Sequence, residues 1–228
     1  MTAARPRLLL APALAGSLLL ASLLLAGCSQ PDSGSDEAAR AHASAAASQA
    51  SQPAAAGGQP SATPSPNVWL TTPAVGARVS GKAYSVALAP GWADITVPSN
   101  EEQPDAGFDL AVQDAADSDG FASYLTVLSS GVADMVGRTG FADFLKEELE
   151  GGGAKNVVVL PETSLDGSRV LRLRGEMSQG ELAWHTEQWV VSHGQDTYVI
   201  SFNANRGTTD AQMAILFGPV VSSWQWSD

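Results

Sequence analysis

Few residues in this 228-residue chain are of a type and spacing that could do chemistry. Asp114, Asp117 and Asp119, followed by Gly120, form an acidic turn that partly resembles a calcium loop. Calcium takes six to eight oxygen ligands, and a helix–loop–helix calcium site closes its loop with a bidentate glutamate at position twelve. With Asp117 and Asp119 at loop positions three and five, position one is Ala115 and position twelve is Thr126. Neither is a usable ligand there, so the expectation is a solvated turn between strands, with Asp114, Asp117 and Asp119 as weak metal candidates only. His185 and Glu187 are two residues apart, and on a strand they would share a face. His193 would be the third member of a zinc set. It lies eight residues further on, about 25 Å along an extended strand, so the expectation is again no metal site. Serines are many, but the Gly-x-Ser-x-Gly elbow of a serine hydrolase is missing. So are the Gly-x-Gly-x-x-Gly turn and the P-loop that hold nucleotide phosphates. Gly151-Gly152-Gly153 follows a candidate helix rather than opening one, which makes it a terminator and not a phosphate cradle. The reading is a chain that is not an enzyme and needs no cofactor.

One reactive side chain remains. Cys28 is the only cysteine, and it has a particular setting. Arg5 and Arg7 precede an uncharged, almost continuously apolar run from Leu8 to Leu25, which ends in Leu25-Ala26-Gly27-Cys28. A positive start, an apolar stretch and small residues before a cut describe a secretory signal. The ending resembles the lipobox of bacterial lipoproteins. That resemblance implies a diacylglyceryl thioether on the Cys28 sulfur and cleavage before Cys28. A lone thiol in an exported chain asks for an explanation, and lipidation provides one. Residues 1–27 are therefore expected to be a signal peptide. The mature chain would sit on the extracytoplasmic face of the cell membrane, anchored through Cys28.

Charge restricts partners further. The chain has 12 basic and 24 acidic residues, a net charge of −12. Loss of Arg5 and Arg7 with the leader, which contains no acid, takes it to −14. Such a body does not neutralise phosphates and is not expected to bind nucleic acid. It is equally unsuited to lie on anionic lipid, so membrane contact is left to the lipid. Arginine outnumbers lysine and alanine is abundant. With the lipobox, that usage suggests an actinobacterium.

The elements that would carry these residues begin late. Residues 28–68 are Ser, Ala, Gln, Pro and Gly with almost no large apolar side chain, too little to offset the entropy of ordering. They are read as a disordered tether with a root-mean-square reach of roughly 35 Å. Thr63-Pro64-Ser65-Pro66 is either an O-glycosylated stretch or a bare Pro-rich linker. Residues 69–228 suit one domain. Strands are expected at Tyr84–Ala89, Phe108–Val112, Ser123–Leu128 and Asn156–Leu160, the last stopped by Pro161. Three long strands follow at Ser168–Gly175, Leu182–Ser192 and Thr197–Asn203, joined by turns at Gln179-Gly180 and His193-Gly194 as a meander. Thr139–Glu150 has helical spacing, with Thr139 as its cap and the glycines 151–153 as its stop. A closing helix starts at a Thr209/Gln212 capping box. It places Met213, Leu216, Phe217, Val220, Val221 and Trp224 on one face, and a kink or break is expected at Gly218-Pro219. Trp224 is expected in the core and Trp226 elsewhere; Trp69 has no assigned place. The fold class is α+β, an antiparallel sheet packed against helices.

The segment Tyr84-Ser-Val-Ala-Leu-Ala-Pro-Gly-Trp92 resembles the opening strand and turn of PsbP-like domains. The strands ending in Tyr198-Val-Ile-Ser-Phe202 and the helix closing in Ser223-Trp224 resemble the rest of that domain. The family includes actinobacterial lipoproteins of the LpqN type. Membership implies the fold over about residues 78–226 and carries over no catalytic residue. The expected function is a non-enzymatic cell-envelope lipoprotein, an accessory or protein-binding module contacting another envelope protein. The alternatives are a carrier of a small apolar ligand in a pocket between sheet and helices and, third, a hydrolase.

Overall fold

The computed structural model describes Trp69, residues 71–115, 121–132 and 135–227. Its backbone forms two antiparallel sheets. The small one has the order β1-β2-β10, from Arg78–Ser80, Tyr84–Ala87 and Gln225–Trp226. The large one has seven strands in the order β3-β4-β5-β9-β8-β7-β6. These are β3 Trp92–Asp94, β4 Leu110–Asp114, β5 Tyr124–Ser130, β6 Lys155–Leu165, β7 Ser168–Gln179, β8 Leu182–His193 and β9 Asp196–Asn205. The described residues also form three helices: α1 Thr96–Glu102, α2 Phe141–Gly151 and α3 Asp210–Ser222. The fold is α+β, as the patterning requires.

Strands β6 to β9 form a continuous meander. Gln179 pairs with Leu182 and His193 with Asp196, so each connection is a two-residue loop. Gly180 and Gly194 open these loops at φ 60° and 59°, a region glycine enters without steric cost. Pro161 does not end β6, contrary to the sequence expectation. The strand runs on to Leu165 because it is the outer strand of the sheet, where a missing N–H need not break a ladder. Its register shifts between Leu160 and Thr163, around the proline.

Each face of the large sheet is covered. On one side lies α2, whose Phe141, Leu145 and Leu149 are buried in a cluster with Leu171, Leu173, Val190, Val199 and Trp184. The expected cap at Thr139 is not used. The N-cap is Gly140 at φ 79°, and among the described residues no side chain caps this helix. On the other side lie α3 and the small sheet. Met213, Phe217, Val220, Val221 and Trp224 of the closing stripe pack there with Leu110, Val127, Trp189, Ile200 and Phe202. The Thr209/Gln212 capping box forms in both directions. The helix is unbroken at Gly218-Pro219. The residue four before Pro219 is Ile215, whose carbonyl lacks its usual helical donor. The Pro219 carbonyl in turn accepts the Ala74 N–H at 2.9 Å. Helix α1 was not anticipated; Pro98 sits in its first turn, where proline is tolerated.

Candidate functional site

The densest polar geometry is on the α3 face, where β7 and β8 run side by side. Arg174 is directly opposite Glu187, and Arg172 opposite Trp189. Alternation along each strand points all four toward α3. Arg172 donates from Nε and Nη2 to Glu187 Oε1 at 2.9 and 2.6 Å. The Trp189 indole donates to the same oxygen at 2.8 Å. Arg174 donates from Nη2 to Glu187 Oε2 at 2.9 Å, and from Nη1 to Asp210 Oδ1 at 2.6 Å. Glu187 is completely buried, Arg172 nearly so, and Asp210 lies in solvent at the start of α3. A buried carboxylate with both oxygens occupied by guanidinium donors is fixed and is not free to act as a base. The Arg172 guanidinium also lies over the rings of Trp189 and Trp69, 5.5 and 5.9 Å from their centroids.

Trp69 is the other half of this arrangement. Its ring lies 5.0 Å from Trp189, 4.9 Å from Phe202 and 6.1 Å from Phe217. The sheet–α3 layer is thus filled by aromatic side chains, and the segment leading out of residues 28–68 is seated in the core. Gly218 permits the approach: a Cβ there would stand 2.7 Å from the Trp69 carbonyl oxygen.

The structure separates the proposed zinc set. His185 and Glu187 share a face, but Glu187 belongs to the arginines, and His193 is at the far end of β8. There the His193 ring stacks on Trp226 at 4.2 Å and 9°. Its Nδ1 is 3.4 Å from Ser168 Oγ, a cross-strand neighbour. That distance is loose for proton transfer. Asp114 lies on β4, paired with Trp92; Asp117 and Asp119 fall outside the described residues, as do Cys28 and the expected signal and tether. Among the described residues no three His, Cys, Asp or Glu side chains gather as a metal site, and no helix is long and apolar enough to cross a membrane.

All six tryptophans are placed. Trp224 is buried and stacks on Tyr84 at 4.2 Å. Trp226 donates its backbone N–H to Asp166 and its indole N–H to the Leu165 carbonyl. Trp92 lies edge-on to Phe217, and Trp184 stacks on Phe121 in the opposite layer.

That opposite layer holds a feature the sequence reading missed. Thr126, Ser201 and Gln188 lie side by side on β5, β9 and β8. Tyr124, Asn203 and Thr186 form the next rung but one, on the same face. All six side chains are buried. Among the described residues, Thr126 Oγ1, Gln188 Oε1 and Asn203 Nδ2 have no hydrogen-bond partner. Each such group costs about 1–3 kcal/mol when left unpaired. In the sequence these Ser, Thr, Asn and Gln residues look like the solvated side of alternating strands. Only the apolar layer on that side of the sheet, which includes Phe121, Tyr124 and the buried face of α2, reveals them as interior.

No protein-family model matches the chain, and no curated protein matches it. Solved structures do. The chain is similar in shape to PsbP and LpqN. The PsbP protein of Synechocystis sp. PCC 6803 is 16% identical with a TM-score of 0.47, over 66% of this chain and 91% of that one. LpqN of Mycobacterium tuberculosis, involved in cell envelope biogenesis, is 12% identical with a TM-score of 0.44, over 67% of this chain and 90% of that one. A protein of Bacteroides thetaiotaomicron is 10% identical with a TM-score of 0.39, over 64% of this chain. This chain spans 45% of that protein's length.

Proposed function

We propose that the chain is an exported bacterial lipoprotein, anchored through Cys28 on the extracytoplasmic face of the membrane. Its domain is a non-enzymatic accessory module that contacts another envelope protein. The observation that carries this reading is Leu25-Ala26-Gly27-Cys28 after an uncharged apolar run, with Cys28 the only cysteine. The domain's geometry supports it. Trp69, at the end of residues 28–68, is held among Trp189, Phe202 and Phe217, so a tether would join the body at its core and not at a loose end. The non-enzymatic reading is supported by the groups that could react. Glu187 is taken up by two arginines, and His193 is stacked under Trp226. The net charge of −14 after removal of residues 1–27 favours a protein partner over nucleic acid or anionic lipid. Crosslinking in intact cells, followed by solubilisation of the membranes and capture of the chain, tests the proposal. A distinct envelope protein recovered in near-stoichiometric amount with the wild type is the expected result. Recovery of the chain alone, or turnover of an ester or amide substrate by the purified protein, overturns it.

A further inference from the structure

We propose that the polar floor of the α2-side layer is a binding site for a small, neutral, planar molecule with an amide or lactam edge. This is independent of the lipid anchor and of any envelope partner. Thr126, Ser201 and Gln188 on one rung, with Tyr124, Asn203 and Thr186 on the other, make a continuous patch across three strands. Strand and rung spacings give it about 10 Å by about 7 Å, the footprint of a single ring. No side chain of the six is charged, so an ion would be buried there without a neutralising partner. The atoms without a partner among the described residues are one carbonyl acceptor on Gln188, one amide donor on Asn203 and one hydroxyl on Thr126. A lactam or primary amide carries an N–H donor and a C=O acceptor on one edge, the chemical complement of the first two, and leaves the hydroxyl to serve either.

The walls suit a flat ligand. Phe121 lies 6.0 Å from Tyr124, which is on the floor itself. It also lies 5.9 Å from Trp184, which is two residues before Thr186 on the same face, with the rings stacked at 24°. Planar rings pack favourably against such aromatic faces. Helix α2 packs chiefly over β6 and β7, and Phe121 lies between Tyr124 and Trp184 at one end of the floor.

The full chain, labelled with nitrogen-15, provides the test. Uracil and nicotinamide are titrated while the side-chain amide signals of Gln188 and Asn203 are followed, with glycerol as a control. At least one of the two planar probes should move both signals saturably, and glycerol should not. Thr126→Val and Gln188→Leu should each weaken that binding by about tenfold or more. Thr126→Val should also raise the melting temperature of the unliganded protein, because an unpaired polar group has been removed. A floor that is merely a packing defect predicts the rise in melting temperature without any binding. The proposal is overturned if neither probe moves the signals, if glycerol moves them equally, or if Thr126→Val leaves the affinity unchanged.

Discussion

Trp69 and Gly218 fit together as a backbone-to-backbone contact: the space a Cβ would fill on Gly218 is occupied by the Trp69 carbonyl and the Thr71 side chain. On an open helix surface Gly→Ala gains about 1 kcal/mol. Here Gly218→Ala should lose about 1–3 kcal/mol, as overpacked sites do. Trp69→Ala should cost more, about 3–5 kcal/mol. Removal of residues 29–68 should leave the melting temperature within a few degrees, since they supply almost no apolar burial. Urea titrations of the two substitutions and a thermal melt of the shortened chain check this. A large loss on removing 29–68 would show that the segment packs on the domain.

Glu187 should be the most sensitive polar position. Glu187→Gln keeps the shape but leaves the buried Arg172 without a counter-charge, while the half-buried Arg174 keeps Asp210, a loss of about 3–5 kcal/mol. Arg172→Met combined with Glu187→Leu should cost less than the sum of the two single changes, because both charges leave together. Denaturant midpoints of the four proteins give the coupling directly.

The closing helix provides an internal comparison. Phe217 is fully buried against Trp69, Trp92 and Phe202, so Phe217→Ala should cost about 3–5 kcal/mol. Asp210 is in solvent apart from its contact with Arg174, so Asp210→Ala should cost at most about 1 kcal/mol. Similar small losses at both positions would mean that the helix is peripheral to the core.

What was legible in the sequence was local. The Thr209/Gln212 capping box, the Gly180 and Gly194 turns and the apolar stripe of α3 depend on residues within a few positions of one another. The Asp166-Gly167 turn was also there to be read; both residues take positive φ and close the β6–β7 hairpin. What was not legible depends on strand order. Arg172, Glu187 and Trp69 are brought together only because β7 and β8 are neighbours and Gly218 admits the Trp69 segment. Thr126, Gln188 and Asn203 look solvated until β5, β9 and β8 are placed side by side with that face turned to the α2 layer. Pro161 signalled a stop because its tolerance on an outer strand depends on knowing which strand is outermost.

All three tyrosines are buried, and burial is the largest cause raising each phenol pKa. Tyr198 rises from 10.0 to about 12, with Asp196 and Asp109 adding to the effect. Tyr84 and Tyr124 move further in the same direction. A phenol that resists ionisation in the folded state stabilises it below pH 10. That contribution is lost as pH rises from 10 through about 12, where the unfolded chain ionises first. Phenolate absorbance should stay flat through pH 10 and then rise in one step with loss of the circular dichroism signal. Gradual phenolate formation near pH 10 in a folded protein would contradict the packing described for Tyr84, Tyr124 and Tyr198.

Cys28 is the residue on which the functional account rests, because it is the only thiol that could take a diacylglyceryl group. Metabolic labelling of producing cells with a fatty-acid analogue, on the wild type and on Cys28→Ala, tests that account most directly. The wild type should be labelled and recovered with membranes, and Cys28→Ala should be unlabelled and released or retained as uncleaved precursor. Equal labelling of both proteins, or of neither, would contradict a lipid anchor at Cys28 and the display of the domain on a tether.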